Sequence, residues 1–182
     1  MKPGSSEEKD YKQSLKKAKA LSNWDLFKRW IPSIIIFPIA LYWILNRGHY
    51  GLIDNVDLVI HEAGHVFFSL FGKFIYTIGG SLMQIIIPSV IAGFFFRNNY
   101  RTGVQVSFLW LGQNFINISV YAADARAQRL PLLGGHKVYH DWHYILGEVG
   151  LLNADQEVGY IIFGIAILIF IVAVLMPLIT QD

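Results

Sequence analysis

Apolar side chains dominate the chain after Trp30, in long runs broken by short polar stretches. Ile31 to Asn46 carries no charge, Phe74 to Phe96 is uncharged over 23 residues, Thr102 to Ala123 over 22 and Gly159 to Gln181 over 23. A helix crossing the hydrocarbon core of a bilayer needs about 20 apolar residues. The last three runs therefore predict transmembrane helices. The first is shorter, and Trp30, Tyr42, Trp43 and Arg47 supply interfacial anchors for it. A further segment, 57–72, is apolar apart from Asp57 and one embedded polar motif. It counts as a fifth span, with a buried or half-inserted helix as the alternative. The expected fold is an all-α membrane protein, a bundle of about five transmembrane helices at about 31–46, 57–72, 75–96, 103–122 and 159–179. A basic arm (1–29) precedes this membrane domain (30–182), and one long polar connection (124–158) lies within it.

Composition narrows the function classes. Hydrophobic residues make up 54% of the chain and charged residues 15%, against roughly 25% charged in soluble domains. Disorder is excluded, because it requires low hydrophobicity and high charge. Cysteine is absent, which removes disulfides, cysteine zinc sites and thiol nucleophiles. A net charge of +2 is too small to argue for a nucleic-acid partner. The partners expected are the lipid bilayer and a peptide or membrane-protein substrate.

The distribution of charge says more than its sum. Eight of the 15 Lys and Arg residues fall within the first 29 positions. With five spans and the arm inside, the inner side also collects Lys73, Arg126, Arg129 and Lys137, leaving Arg47, Arg97 and Arg101 outside. This split of 12 to 3 predicts a cytoplasmic arm, a cytoplasmic 124–158 connection and an outer carboxyl end, in a multi-pass protein of the cell (inner) membrane. Lys16, Lys17, Lys19, Lys28 and Arg29 either meet anionic lipid or only set the topology. No small-x-small cleavage site follows the first apolar run, which reads as an uncleaved anchor.

The embedded motif is His61-Glu62-Ala63-Gly64-His65, an H-E-x-x-H. Residues four apart share a helix face, so both imidazoles can bind one Zn²⁺. Glu62, rotated about 100° around the helix, can serve as general base toward a metal-activated water. The pattern is expected by chance only about 0.005 times in a chain of this composition. A carboxyl within an apolar span also costs about 2.5–3.5 kcal/mol to insert, so it marks function by default. Asp57, one turn before His61, is either a partner orienting that imidazole or an ordinary acid near a helix start.

A hydrolytic zinc site needs a third protein ligand and an open position. Asp124 is the first candidate. It ends a polar face formed by Asn114, Asn117, Tyr121 and Asp124 at helical spacing. Asn117 and its neighbours either belong to the site or bond between helices. His140, Asp141 and His143 form the rival set, in a stretch where three of the six histidines (with His136) fall within eight residues.

An H-E-x-x-H in an early apolar helix resembles the site-2 protease family of intramembrane zinc metallopeptidases. The resemblance covers about Val56 to Arg126. It implies a three-helix core, made here of the second to fourth spans. The first core helix would carry His61, Glu62 and His65, and the third would bring the Asp, here Asp124. The pair Gly79-Gly80 resembles glycine-rich turns of that family. Asp124 stands in Ala122-Ala123-Asp124-Ala125, without the flanking Pro and Gly of the family's segment, which implies a divergent branch. The function expected is a membrane-embedded zinc-dependent metallopeptidase. The alternative is a metal-binding membrane scaffold or pseudoenzyme that cleaves nothing.

Overall fold

The structure, a computed structural model, describes residues 23–130 and 140–179. Most of the basic arm, with Lys16, Lys17 and Lys19, lies outside the described residues, as do His136 and Lys137. Among the described residues there is no strand. The helices are α1 (Asn23–Leu45), α2 (Leu52–Phe67), α3 (Lys73–Arg97), α4 (Arg101–Ala123), α5 (Asp141–Glu148) and α6 (Asp155–Ile179), with single 3₁₀ turns at Ser69–Phe71 and Leu152–Ala154.

Three stretches are long and apolar enough to cross a membrane: Trp24–Leu45, Lys73–Arg97 and Leu152–Ile179. They mark a membrane protein. α1 starts eight residues before the expected 31, drawing Asp25 into its first turn, where a negative charge suits the helix dipole. α4 is as long as α1 but more polar: Gln105, Ser107, Gln113, Asn114 and Ser119 are all buried in it. It lies against α1, α3 and α6, while α2 packs on α3. Gln105, Asn114, Asp57 and Ser119 are almost wholly buried, whereas Ile161, Leu168 and Leu178 of α6 stand exposed. Polar groups inside and aliphatic groups outside suit a lipid surround.

Contacts at the helix ends sort the bundle into two faces. The Arg101 guanidinium donates to the Arg29 carbonyl at 3.3 Å. Gln105 Nε2 donates to Ser33 Oγ and to the Ala173 carbonyl, each at 2.9 Å. The starts of α1 and α4 and the end of α6 therefore share one face. At the other end, Arg47 donates to the Ser119 carbonyl at 3.4 Å and lies over the rings of Tyr160 and Phe163. The ends of α1 and α4 and the start of α6 share that second face.

α2 decides the parity of the bundle. It has 16 residues, about 24 Å of helix, short of a hydrocarbon core of about 30 Å. Near its start Asp54 accepts from Gln113 and Asn117 in the second half of α4; near its end His65 meets the first turn of α3 at Tyr76. It runs in the same direction as α4 beside only the half of the bundle nearest the second face. In place of the fifth span expected at 57–72 stands a shorter helix that ends at Phe67 and both starts and ends beside the half of the bundle nearest the second face. Consequently the 124–158 connection emerges opposite the end from which the basic arm enters α1, not beside it as the five-span count required. Gly79-Gly80 lies inside α3, not in a turn.

α4 and α6 approach closely where Gly159 sits. A Cβ there would come within 2.8 Å of the Ser119 carbonyl oxygen and 2.7 Å of Ala123 Cβ. Backbone cannot yield as a flexible side chain can. Gly159→Ala is expected to destabilise the detergent-solubilised protein by about 1–3 kcal/mol, the usual cost of overpacking. Gly164→Ala, with nothing within 4 Å of its Cβ, is expected to be neutral or stabilising by up to about 1 kcal/mol, through helix propensity. Thermal unfolding of the two variants compares them directly.

Candidate metal centre

His61 and His65 occupy the last two turns of α2, one helical turn apart on its buried side. α2 is seated closely on α3: a Cβ at Gly64 would lie 2.3 Å from the Gly79 carbonyl oxygen. This contact brings both imidazoles against α3 and the end of α4. The third side chain arrives from α5. Asp141 Oδ2 lies 2.9 Å from His61 Nε2 and 3.2 Å from His65 Nε2, and the two Nε2 atoms are 3.1 Å apart. His61, His65 and Asp141 form the one group of three or more such side chains among the described residues whose ligand atoms converge closely enough to hold a metal ion.

The hydrogen-bond network assigns the tautomers. His65 Nδ1 donates to the Tyr76 carbonyl at 2.8 Å. His61 Nδ1 lies 3.0 Å from Gln84 Oε1. The Gln84 amide is oriented in turn, since its Nε2 donates to Asn114 Oδ1 at 3.2 Å. Asn114 is oriented because its Nδ2 donates to the Trp110 carbonyl at 3.1 Å, and a carbonyl can only accept. From that fixed end the polarity runs back to His61 and puts the hydrogen on its Nδ1. In the neutral rings both Nε2 atoms present lone pairs toward a carboxylate oxygen, and the three atoms sit within 3.2 Å of one another. A proton on one imidazole satisfies such a triad, and so does a metal cation.

The donor set fits one. Zinc bonds of about 2.0–2.1 Å to imidazole and carboxylate imply ligand separations of about 3.3 Å around a tetrahedron, close to those observed. Two histidines and a carboxylate leave a fourth position open, as in catalytic zinc sites, and the same set also suits non-haem iron. The orienting bonds from Tyr76 and Gln84 are of the kind that fixes metal-binding imidazoles.

Asp141 is held by its own supports. Its backbone N–H donates to Tyr121 Oη at 3.1 Å, and the Tyr121 hydroxyl donates to Oδ2 at 3.4 Å. Trp142 Nε1 donates to Ser81 Oγ at 3.2 Å; Trp142, Ile145 and Leu146 bury against Ile118, Ala122 and Ala125. α5 is thereby docked across α3 and α4. Burial pushes the Asp141 carboxyl upward, but the neighbouring His61 and His65 imidazoles outweigh this and hold it below the ordinary carboxylate range.

The structure brings Asp124 elsewhere. α4 ends at Ala123, and Asp124 leaves the helical phase that carries Asn114, Asn117 and Tyr121. Its oxygens accept from the backbone N–H groups of Arg129 and Leu130, at 3.0 and 2.9 Å, and from His140 Nε2 at 3.3 Å. A short acid just beyond a helix readily closes its own turn in this way. Asp141, from the rival set, stands where Asp124 was expected. His140 caps α5: its Nδ1 accepts from the His143 N–H, and burial lowers its basicity against the pull of Asp124, which suits a neutral cap. His143 Nδ1 lies 2.8 Å from the Ala125 carbonyl. Asp57 does not reach His61, whose Nδ1 is already taken; it accepts from Trp110 Nε1 at 2.8 Å. Asn117 donates to Asp54. Glu62 is exposed, and its charge acts on both His65 and Tyr121.

Gln84 is the residue that sequence reasoning passed over. A single amide amid the uncharged 74–96 run carried a signal, since an amide in hydrocarbon must find a partner. The Tyr76 carbonyl carried none. Comparison with family models, with characterised proteins and with solved structures finds no match to this chain.

Gly80 keeps room for the His61 ring. A Cβ there would lie 2.5 Å from His61 Nε2 and Cε1, and the ring is held by Gln84 and Asp141. Gly80→Ala is expected to weaken Zn²⁺ or Co²⁺ affinity by about 10–100-fold, the usual effect of disturbing the orientation of a ligand. Gly93→Ala, on the same helix with nothing within 4 Å, is expected to leave it unchanged. Calorimetric titration of the metal-stripped proteins measures both.

Proposed function

We propose that the chain is a membrane-embedded zinc-dependent metallopeptidase, with four of its helices crossing the membrane, His61, His65 and Asp141 as the metal ligands and Glu62 as general base. The observation that carries this reading is the convergence of two imidazole nitrogens and a carboxylate oxygen within 3.2 Å of one another, with Glu62 next to His61 in the chain. Zn²⁺ held there supplies Lewis acidity, acidifying water to a pKa of about 7 and polarising a peptide carbonyl. Glu62 takes the proton of the attacking water and returns it to the leaving amine. Tyr121 keeps Asp141 turned toward the imidazoles, and Gln84 and the Tyr76 carbonyl, by accepting from the Nδ1 atoms, keep the Nε2 atoms turned toward Asp141.

Glu62 sits between the exposed Val59 and Val66 of α2, so a polypeptide segment can approach it from the side of the bundle. A helical substrate must unwind locally, because its carbonyls are otherwise hydrogen-bonded. The resemblance to the site-2 protease family supports this reading through His61, Glu62 and His65. Its expected Asp is replaced here by an acid from a separate helix beyond the core.

Metal content of the purified protein tests the reading. About one Zn²⁺ per chain is expected in the wild type and in Asp124→Ala, and its loss in His61→Ala, His65→Ala and Asp141→Ala. Glu62→Gln is expected to keep the metal and to lose peptidase turnover by a factor of about 10²–10⁴, the usual contribution of general acid–base catalysis. Zinc retained in all three ligand variants would remove the metal site. Unchanged peptidase turnover in Glu62→Gln would remove the hydrolytic mechanism, and a metal-replete wild type with no peptidase activity would favour the scaffold instead.

A further inference from the structure

We propose that the metal centre faces the compartment opposite the basic arm, so that its substrate is a polypeptide segment presented at the non-cytoplasmic surface of the membrane. The inference rests on the metallopeptidase reading and adds the side from which the substrate comes.

The argument starts from parity. Arg29 of α1 meets Arg101 at the start of α4, and Ser33 of α1 and Ala173 of α6 meet Gln105. Arg47, just past α1, meets Ser119 near the end of α4 and the rings of Tyr160 and Phe163 near the start of α6. The metal ligands lie at this second end. Asp141 belongs to the connection between α4 and α6, and its neighbour Tyr121 is in the last turn of α4. Lys73, at the start of α3, lies over the Tyr144 ring of α5. The end of α1 at Arg47 and the start of α3 at Lys73 both lie at this second end, so α2 adds no crossing and the chain passes from α1 to α3 without changing sides.

The charge count must be redone on this frame. The arm face takes the eight Lys and Arg residues of positions 1–29 together with Arg97 and Arg101. The opposite face takes Arg47, Lys73, Arg126, Arg129 and, by its place in the chain, Lys137. Ten basic residues stand against five. The excess still holds the arm in the cytoplasm, and four crossings in place of five move the metal centre to the other side. The same sequence rule, applied to a different number of crossings, reverses the compartment of the 124–158 connection.

The native chain has no cysteine, so single replacements report sidedness directly. Ala127→Cys, Asn153→Cys and Asn98→Cys lie at exposed positions, the first two on the metal face and the third on the arm face. In intact cells a membrane-impermeant maleimide is expected to label Ala127→Cys and Asn153→Cys, and to label Asn98→Cys only after permeabilisation. Labelling of Asn98→Cys alone in intact cells would overturn the proposal, and so would labelling of Asn98→Cys and Asn153→Cys from the same side. Metal content is measured on the same three proteins. Labelling does not depend on the metal, so a reversed pattern in metal-replete protein overturns the sidedness alone. The expected pattern in a metal-free wild type would overturn the metallopeptidase reading instead.

Discussion

Polar groups drawn into this bundle must find partners within the protein, because its outer surface presents aliphatic side chains that neither donate nor accept. The Trp110 carbonyl can only accept, so Asn114 turns its amide nitrogen toward it. Gln84 must then offer its nitrogen to Asn114, and its oxygen is left for His61. Through two intervening side chains on two helices, one backbone group orients the bond that places a proton on Nδ1 of His61. The Tyr76 carbonyl does the same for His65 in a single step. Without these bonds the imidazoles could rotate or change tautomer, and the convergence with Asp141 would be lost.

α2 is shorter than the other long helices and carries both imidazoles in its last two turns. Its polar start is accommodated inside the bundle: Asp54 accepts from Gln113, Asn117 and the backbone of Gly51, which closes the first turn with an acid where the helix dipole favours one. The close seating of Gly64 on Gly79 then sets the height of the histidines against α3.

Two acids competed for one place. Asp124 follows α4 directly, and its nearest donors are the N–H groups of its own turn, available at no cost in chain ordering. Asp141 begins a new helix, capped by His140, whose position is fixed by burial of Trp142, Ile145 and Leu146. The turn therefore consumes the first acid, and packing of a short helix delivers the second. His140 links the two by bonding Asp124 while capping the helix that starts with Asp141.

The apolar runs and the H-E-x-x-H spacing determined, without any structure, an all-helical membrane chain and two imidazoles on one helix face with a carboxylate beside them. These follow from bilayer thickness and from the 3.6-residue period, both local properties of the chain. The half-inserted reading of 57–72 was open on the same grounds, since an apolar segment of that length does not say how deep it reaches. Which acid joins the histidines, which nitrogen each imidazole offers, and on which side of the bundle they lie were decided by tertiary structure. Each depends on contacts between residues far apart in the chain: Asp141 with His61, Gln84 with Asn114, Arg29 with Arg101. Helical periodicity governs neighbours along the chain and carries no information about such pairs.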